Sequence, residues 1–385
     1  MRKPKSFYLP QLDGLRFFAF LAVFSWHFMA DWTNDFITSP THSFLARIAA
    51  ESLVVGGNGV DLFFALSAYL ITELLLRERR TYNTIDVQSF YIRRALRIWP
   101  LYYGALLLML ICSGLLPELA DLRSHLLWYF LFAGNFARGL WGAPELLAPL
   151  WSVSVEEQFY FLWPLAIRRL SRRWIVLLAI ALWAIGIIFR VFMQGTPDSE
   201  FAFNTFARLD PIAAGILLAA FLNGRVDIKC GVTPAIFAIA GVIFCGLGFL
   251  AVISSMWELP RMLYLPAFAE SMVALASLAF LVAAIGSGSG GFLSARPLVY
   301  LGRISYGLYV FHAAVIMIGR AMFGFPEGIL RWCLMATELA ATVAIAAASY
   351  RWWEEPFLRL KRRFQRVSSG GSLERQRAAD LGGAA

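Results

Sequence analysis

Arg16 and His27 interrupt an otherwise apolar and aromatic run, LDGLRFFAFLAVFSWHFMA. Ionisable groups at membrane depth cost free energy, so they ordinarily line a cavity or a pathway. On an α-helix eleven residues rise about 16 Å and turn about 1100°, within about 20° of three full turns. The two side chains therefore share a helix face, one near each end of a span. That geometry suits a site reached from two sides. Further along stand Asp61 in GVDLFFALSAYLIT, Glu156 and Glu157 in LWSVSVEEQFYFLWPL, and Arg93, Arg94 and Arg97 in FYIRRALRIWPLYY. A histidine with a carboxylate partner is a general-base arrangement, the carboxylate fixing the tautomer and stabilising the imidazolium. Arginine forks suit phosphate, and three within five residues could hold a polyphosphate such as the nucleotide end of coenzyme A.

The elements that must carry these groups follow from composition. Hydrophobic residues make up 59% of the 385 and charged residues 15%, against about 25% charged in a soluble domain. The expected class is an all-α polytopic membrane protein. Apolar stretches fall near 12–30, 53–76, 98–116, 150–167, 174–193, 209–222, 232–253, 264–286, 304–322 and 329–350, with a shorter one at 124–137. Basic clusters lie at Arg2/Lys3/Lys5, Arg77 to Arg97, Arg168 to Arg173, Arg225/Lys229, Arg296/Arg303 and after Arg351. If 124–137 dips in and returns, all six clusters face the cytoplasm, as the positive-inside rule asks. The expectation is about ten transmembrane helices, one short re-entrant segment and both termini cytoplasmic. On this reading the net charge of +9 records orientation rather than nucleic-acid binding. Residues 1–11 form the cytoplasmic N-terminus, 12–357 the membrane domain, and 358–385 a basic, then disordered, cytoplasmic tail. The first helix reads as retained, since Asp13 and Arg16 break the signal-peptide pattern. The four cysteines have no CxxC or Cys/His ligand spacing, which points to packing and to no metal site.

With sides assigned, Arg16 lies near the cytoplasmic face and His27 near the outer face. Asp61 falls in the outer third of the second span, and the two glutamates in the outer half of the span beginning at 150. Adjacent glutamates point about 100° apart, so at most one faces a given cavity. His27, Asp61 and Glu156 are thus expected to meet in an outer pocket. His312, with Tyr309 one turn before it, is placed to line the same cavity as the arginine cluster. Each group has a structural alternative. Arg16 could pair with Asp13 or snorkel, His27 could hydrogen-bond between helices, and Asp61 could cap its helix after GGNG. The arginine cluster also fits anionic membrane lipids. A proton-coupled transporter or flippase of a glycan or lipid intermediate would use the same set of groups.

Six blocks in order, LDGLRFFAFLAVFSWHF, GVDLFFALSAYLIT, FYIRRALRIWPLYY, LWSVSVEEQFYFLWPL, LGRISYGLYVFH and YRWWEEPF, resemble those of the acyltransferase 3 family of integral-membrane acyltransferases. Ala68-Tyr69 departs from the Gly-Phe more usual there. The resemblance implies transfer of an acyl group, most often acetyl, from cytoplasmic acyl-CoA to a hydroxyl of an extracytoplasmic acceptor, chiefly a cell-envelope or exported glycan. It implies the bacterial inner membrane as the location. By carry-over, Arg16, Arg93, Arg94 and Arg97 hold the donor, and His27 serves acyl transfer as a base oriented by Glu156 or Asp61, or through an acyl-histidine. Acyl-CoA is then a substrate, with no permanently bound cofactor. The family's frequent C-terminal hydrolase-like domain has no counterpart in this sequence, so any step it performs is expected to lie outside this chain.

Overall fold

The computed structural model describes residues 7–38, 55–112, 122–142, 145–147, 149–193, 202–223, 234–256, 265–288 and 291–367. The expectations for the first six residues and the final 18 lie outside it. Among the described residues the chain is helical, without strands. The long helices are α1 (Pro10–Thr38), α2 (Gly59–Tyr82) and α3 (Val87–Cys112). Two short ones follow, α4 (Leu122–Phe130) and α5 (Gly134–Trp141). Then come α6 (Leu150–Arg169), α7 (Arg172–Phe192), α8 (Leu209–Leu222), α9 (Pro234–Met256) and α10 (Leu265–Gly286). The set closes with α11 (Arg296–Arg303), α12 (Ser305–Phe323), α13 (Gly328–Ser349), a π-helical turn at Tyr350–Glu354 and α14 (Glu355–Lys361).

Within the described residues each of the ten apolar stretches is helical, and eight of the described helices are long and apolar enough to cross a membrane. The helix at 150–169 falls outside those eight because glutamates and serines dilute its hydropathy. Large apolar side chains such as Phe192, Phe221, Ile111 and Trp352 stand more than 65% exposed. Such a surface suits lipid and not water. This is a multi-pass membrane protein.

The 124–137 stretch is broken into two short helices. Phe132 takes a positive φ of 54°, and Gly134 lies so close to the Tyr129 ring that a Cβ would fall 2.5 Å from it. The carbonyls freed at the break must be satisfied inside an apolar medium. Tyr102 donates to Tyr129 O at 2.8 Å, Tyr103 to Phe130 O at 2.9 Å and Gln158 to Phe132 O at 2.8 Å. At about 1.5 Å per residue neither half spans a bilayer.

Basic clusters on different helices gather at one end. Arg79 of α2 donates to Ile167 O and Leu170 O at the end of α6 (2.5 and 2.6 Å), Arg172 to Ala220 O of α8 (2.9 Å), and Arg80 to Asn223 O. Cations at helix C-termini satisfy orphan carbonyls and complement the dipole. Almost every residue of α8 is buried. Deep in the bundle, Arg190 of α7 forms a bidentate pair with Asp210 of α8 (Nη1–Oδ1 3.0 Å, Nη2–Oδ2 2.6 Å), and Ser271 of α10 donates to the same carboxylate.

Two boundaries differ from the sequence reading. The first helix runs on to Thr38, so 31–38 is not loop. Residues 358–367, expected in the tail, pack against α3, where Arg93 donates to Phe364 O at 2.7 Å. Basic residues alone do not distinguish a solvated tail from a segment whose charges point inward.

Candidate active site

At the Arg16 end a cavity of about 190 Å³ opens between α1, α2, α3 and the C-terminal segment. Arg16, Arg94, Arg97, Arg303 and Lys361 line it, and Asp13 is the carboxylate among the lining residues. The backbone geometry explains the convergence. Gly302 of α11 sits so tightly on α1 that a Cβ would fall 1.8 Å from Asp13 O. That close approach brings Arg303 beside Asp13 and Tyr8. Arg16 pairs with Asp13 at 2.8 Å, Tyr8 donates to Asp13 at 3.0 Å, and Arg303 donates to the Tyr8 hydroxyl at 3.0 Å. Burial and the neighbouring Asp13 push the Tyr8 phenol up to about 12, so it stays protonated as a donor.

Arg94 lies over the Tyr160 ring at 5.3 Å, and its Nε has no hydrogen-bond partner. Arg93 instead turns away, pairing with Glu78 at 3.3 Å in an adjoining recess. The arginine cluster therefore divides, Arg94 and Arg97 facing the cavity with Arg16 while Arg93 anchors the segment around Phe364. Five cations held together with one lining carboxylate repel one another in a low-dielectric wall. Such a surface is complementary to a polyanion.

His27 stands at the other end of the same face of α1. Its Nδ1 is 3.0 Å from Val23 O and 3.2 Å from Nε2 of His312, a fully buried side chain of α12. The structure thus puts His312 against His27, not in the arginine cavity, because α12 packs along α1 with that residue about two and a half turns from Arg303. Neither expected carboxylate reaches His27. Asp61 is held by Arg208, 3.3 Å away, which also bridges to Glu270 at 2.8 Å. Glu156 accepts from Tyr160 at 3.0 Å and from Ser67, with Arg16 and Arg94 its neighbouring cations. The reason is depth. Glu156 lies about 9 Å into α6, and the α6 residue that reaches toward the histidines is Ser152, which bonds the hydroxyl of Tyr309, one turn from His312, at 2.8 Å. Glu157, pointing elsewhere, accepts from the exposed Trp99 at 3.0 Å.

Ser152, Glu156 and Tyr160 recur every four residues and so form one stripe on α6. Tyr160 lines the cavity, Glu156 stands behind it, and Ser152 meets Tyr309 one turn from His312. A polar column thus connects the cationic cavity to the paired imidazoles, parallel to the Arg16–His27 face. Lys361, Arg303, Ser67 and Tyr160 were not singled out from sequence. The four-residue spacing of Ser152, Glu156 and Tyr160 was the readable signal for the last of these.

The acyltransferase domain model matches residues 9–351. The chain is 29% identical over 376 residues to peptidoglycan O-acetyltransferase OatA of Listeria monocytogenes, covering 91% of this chain and 56% of that protein. It is 28% identical over 379 residues to O-acetyltransferase OatA of Staphylococcus aureus, covering 91% and 57%. The chain therefore spans a little over half the length of these relatives. No solved structure matches it. The ordered blocks, the shared helix face of Arg16 and His27 and the family match over nearly the whole membrane region agree: the chain belongs to the acyltransferase family of Acyl_transf_3 membrane proteins.

Proposed function

We propose that this protein is a membrane O-acyltransferase moving an acyl group, acetyl in the simplest case, from cytoplasmic acyl-CoA to a hydroxyl of a cell-envelope glycan across the bacterial inner membrane. The observation that carries the reading is the cavity in which Arg16, Arg94, Arg97, Arg303 and Lys361 converge beside a single lining carboxylate, on the helix face that ends at His27. The Arg16 end, where the basic clusters gather, is the cytoplasmic side. The cations hold the phosphates of the donor, the extended pantetheine arm follows the polar column of α6, and the thioester arrives at His27.

There the His27 imidazole takes the acceptor hydroxyl proton as its oxygen attacks the thioester carbonyl. The C–S bond breaks, and the coenzyme A thiolate leaves and recovers the proton from the imidazolium. A positioned base contributes about 10²- to 10⁴-fold. Both OatA relatives are named as O-acetyltransferases, and the Listeria protein as acting on peptidoglycan, which makes peptidoglycan glycan the first acceptor to try.

The test is transfer of labelled acetyl from acetyl-CoA to peptidoglycan-derived glycan by purified protein in proteoliposomes. His27→Ala is expected to lose about 10²- to 10⁴-fold with the donor KM unchanged. Near-normal transfer by that variant overturns the base assignment. Movement of glycan across the bilayer without acetylation would mark a transporter instead.

A further inference from the structure

His312 fills the place where a carboxylate was expected, and its hydrogen bonds define its role. Its Nδ1 is 2.7 Å from Tyr309 O, a group that only accepts, so that nitrogen carries the proton. In the neutral ring Nε2 then carries the lone pair, and it faces Nδ1 of His27 at 3.2 Å. Val23 O, also only an acceptor, stands 3.0 Å from the same His27 nitrogen. Flanked by two acceptors, His27 Nδ1 must be the protonated nitrogen. Its Nε2 is therefore the basic one.

We infer that His312 is a positioning residue for the acyl-transfer step, holding His27 in the Nδ1–H tautomer so that Nε2 takes the acceptor proton. The inference rests on the reading of His27 as the base. When Nε2 is protonated, the imidazolium keeps donating from Nδ1 to His312 and Val23 O, so no hydrogen bond has to be broken as charge develops. The dyad is built rather than incidental. His312 is fully buried, with Phe20 edge-on to its ring at 5.9 Å and Tyr309 at 5.5 Å. Tyr309 is itself tied to α6 through Ser152 at 2.8 Å. Arg320, one helix face along, donates to His27 O at 2.7 Å and fixes the α1 backbone beneath the ring. The wall thus sets both the rotation of His312 and the height of His27.

A carboxylate in this position would accept the same proton but bring a full charge into the apolar layer, where it is costly without a cation beside it. A neutral imidazole with a fixed tautomer supplies acceptance without that cost. The pair also cannot both charge readily, because two imidazoliums at this spacing repel.

The experiment compares the purified full chain with His312→Ala, His312→Gln, His27→Ala and the double variant His27→Ala/His312→Ala, with acetyl-CoA as donor and peptidoglycan-derived glycan as acceptor. Gln keeps a carbonyl acceptor within reach of the His312 Nε2 position without a titratable ring. Expected is a fall in kcat of about 10- to 100-fold for His312→Ala, with KM for acetyl-CoA unchanged, and recovery in His312→Gln to within about five-fold of the native protein. The double variant should be no slower than His27→Ala, since the effect of His312 runs through His27. Thermal melting with bound coenzyme A confirms that the variants are folded. Retention of most of kcat by His312→Ala, failure of Gln to rescue a folded protein, or a double variant well below His27→Ala overturns the inference while leaving the base assignment standing. Near-normal activity of His27→Ala overturns both.

Discussion

Replacing Lys361 by Met changes two quantities in opposite directions, which makes it the sharpest test of the cationic cavity. Lys361 shares the cavity wall with Arg16, Arg94, Arg97 and Arg303. In the empty protein those charges repel one another. At an effective dielectric constant of about 20, two charges about 6 Å apart interact by about 3 kcal/mol before screening. Lys361 is partly exposed, so solvent and salt reduce its share to about 0.5–1 kcal/mol. Removing its charge while keeping its length should therefore raise the melting temperature of the unliganded protein by about 1–3 °C. With a polyphosphate bound the sign reverses, because a charge-assisted hydrogen bond contributes about 1.5–3 kcal/mol. The expected cost is about 10- to 150-fold in Kd for coenzyme A and in KM for acetyl-CoA, with kcat little changed. The assay is a pair of thermal melts in detergent, with and without coenzyme A, alongside a direct binding titration. Coenzyme A should stabilise the native protein by about 2.7 kcal/mol at a hundredfold excess over Kd, and Lys361→Met by much less at the same concentration. A variant that melts lower when empty yet binds coenzyme A normally would refute the reasoning, showing Lys361 to be a packing residue.

Other substitutions probe the frame around the site. Asp210→Asn should cost about 3–5 kcal/mol by stranding buried Arg190, read as loss of folded protein in size-exclusion and melting experiments, and Arg190→Met/Asp210→Leu should recover part of it. Asp61→Asn keeps the Arg208–Glu270 bridge and should lower the melting temperature while leaving kcat within about three-fold; a large kcat loss with unchanged melting would return Asp61 to the chemistry. Asp86 caps α3 through Ser89, accepting from its N–H at 3.0 Å and its hydroxyl at 2.8 Å, so Asp86→Ala should cost about 1 kcal/mol. Those two bonds hold the Asp86 carboxyl below the usual carboxylate range. Its contribution is therefore fully present above that range and lost as pH falls through the lowered value, and melting of native protein and variant should converge below about pH 4.

What could be read in the sequence was whatever depends on a single helix. The shared face of Arg16 and His27 needs only 3.6 residues per turn, and the Arg16–Asp13 pair needs only the next turn. The placing of Arg94 and Arg97 beside Arg16 followed from charge clusters at span ends. Partners across helices were another matter. Nothing local says that Arg208 turns to Asp61, or that Arg190 reaches Asp210 and Ser271, since each depends on which helix faces pack. Glu156 is expected beside His27 because both fall in outer halves of spans, but a few ångströms of depth put it against Tyr160 and leave His312 beside the imidazole. His312 is legible as a polar group within a span, but its partner is His27 and not the arginine cluster. Lys361 stays hidden because a basic stretch after the final span reads as solvated tail.

The π-helical turn at Tyr350–Glu354 carries a consequence for how that lysine is aimed. Such a turn holds one more residue than an α-turn, so everything beyond it is rotated by about 100° relative to an uninterrupted helix. Tyr350, at its start, and Lys361, beyond it, both line the cavity. The wide turn works as a phase adjuster at the foot of α13. Deleting one residue among Arg351, Trp352 and Trp353 should relax it to an α-turn and leave Lys361 facing the cavity, whereas the same deletion within α13 would turn Lys361 away by about 100°.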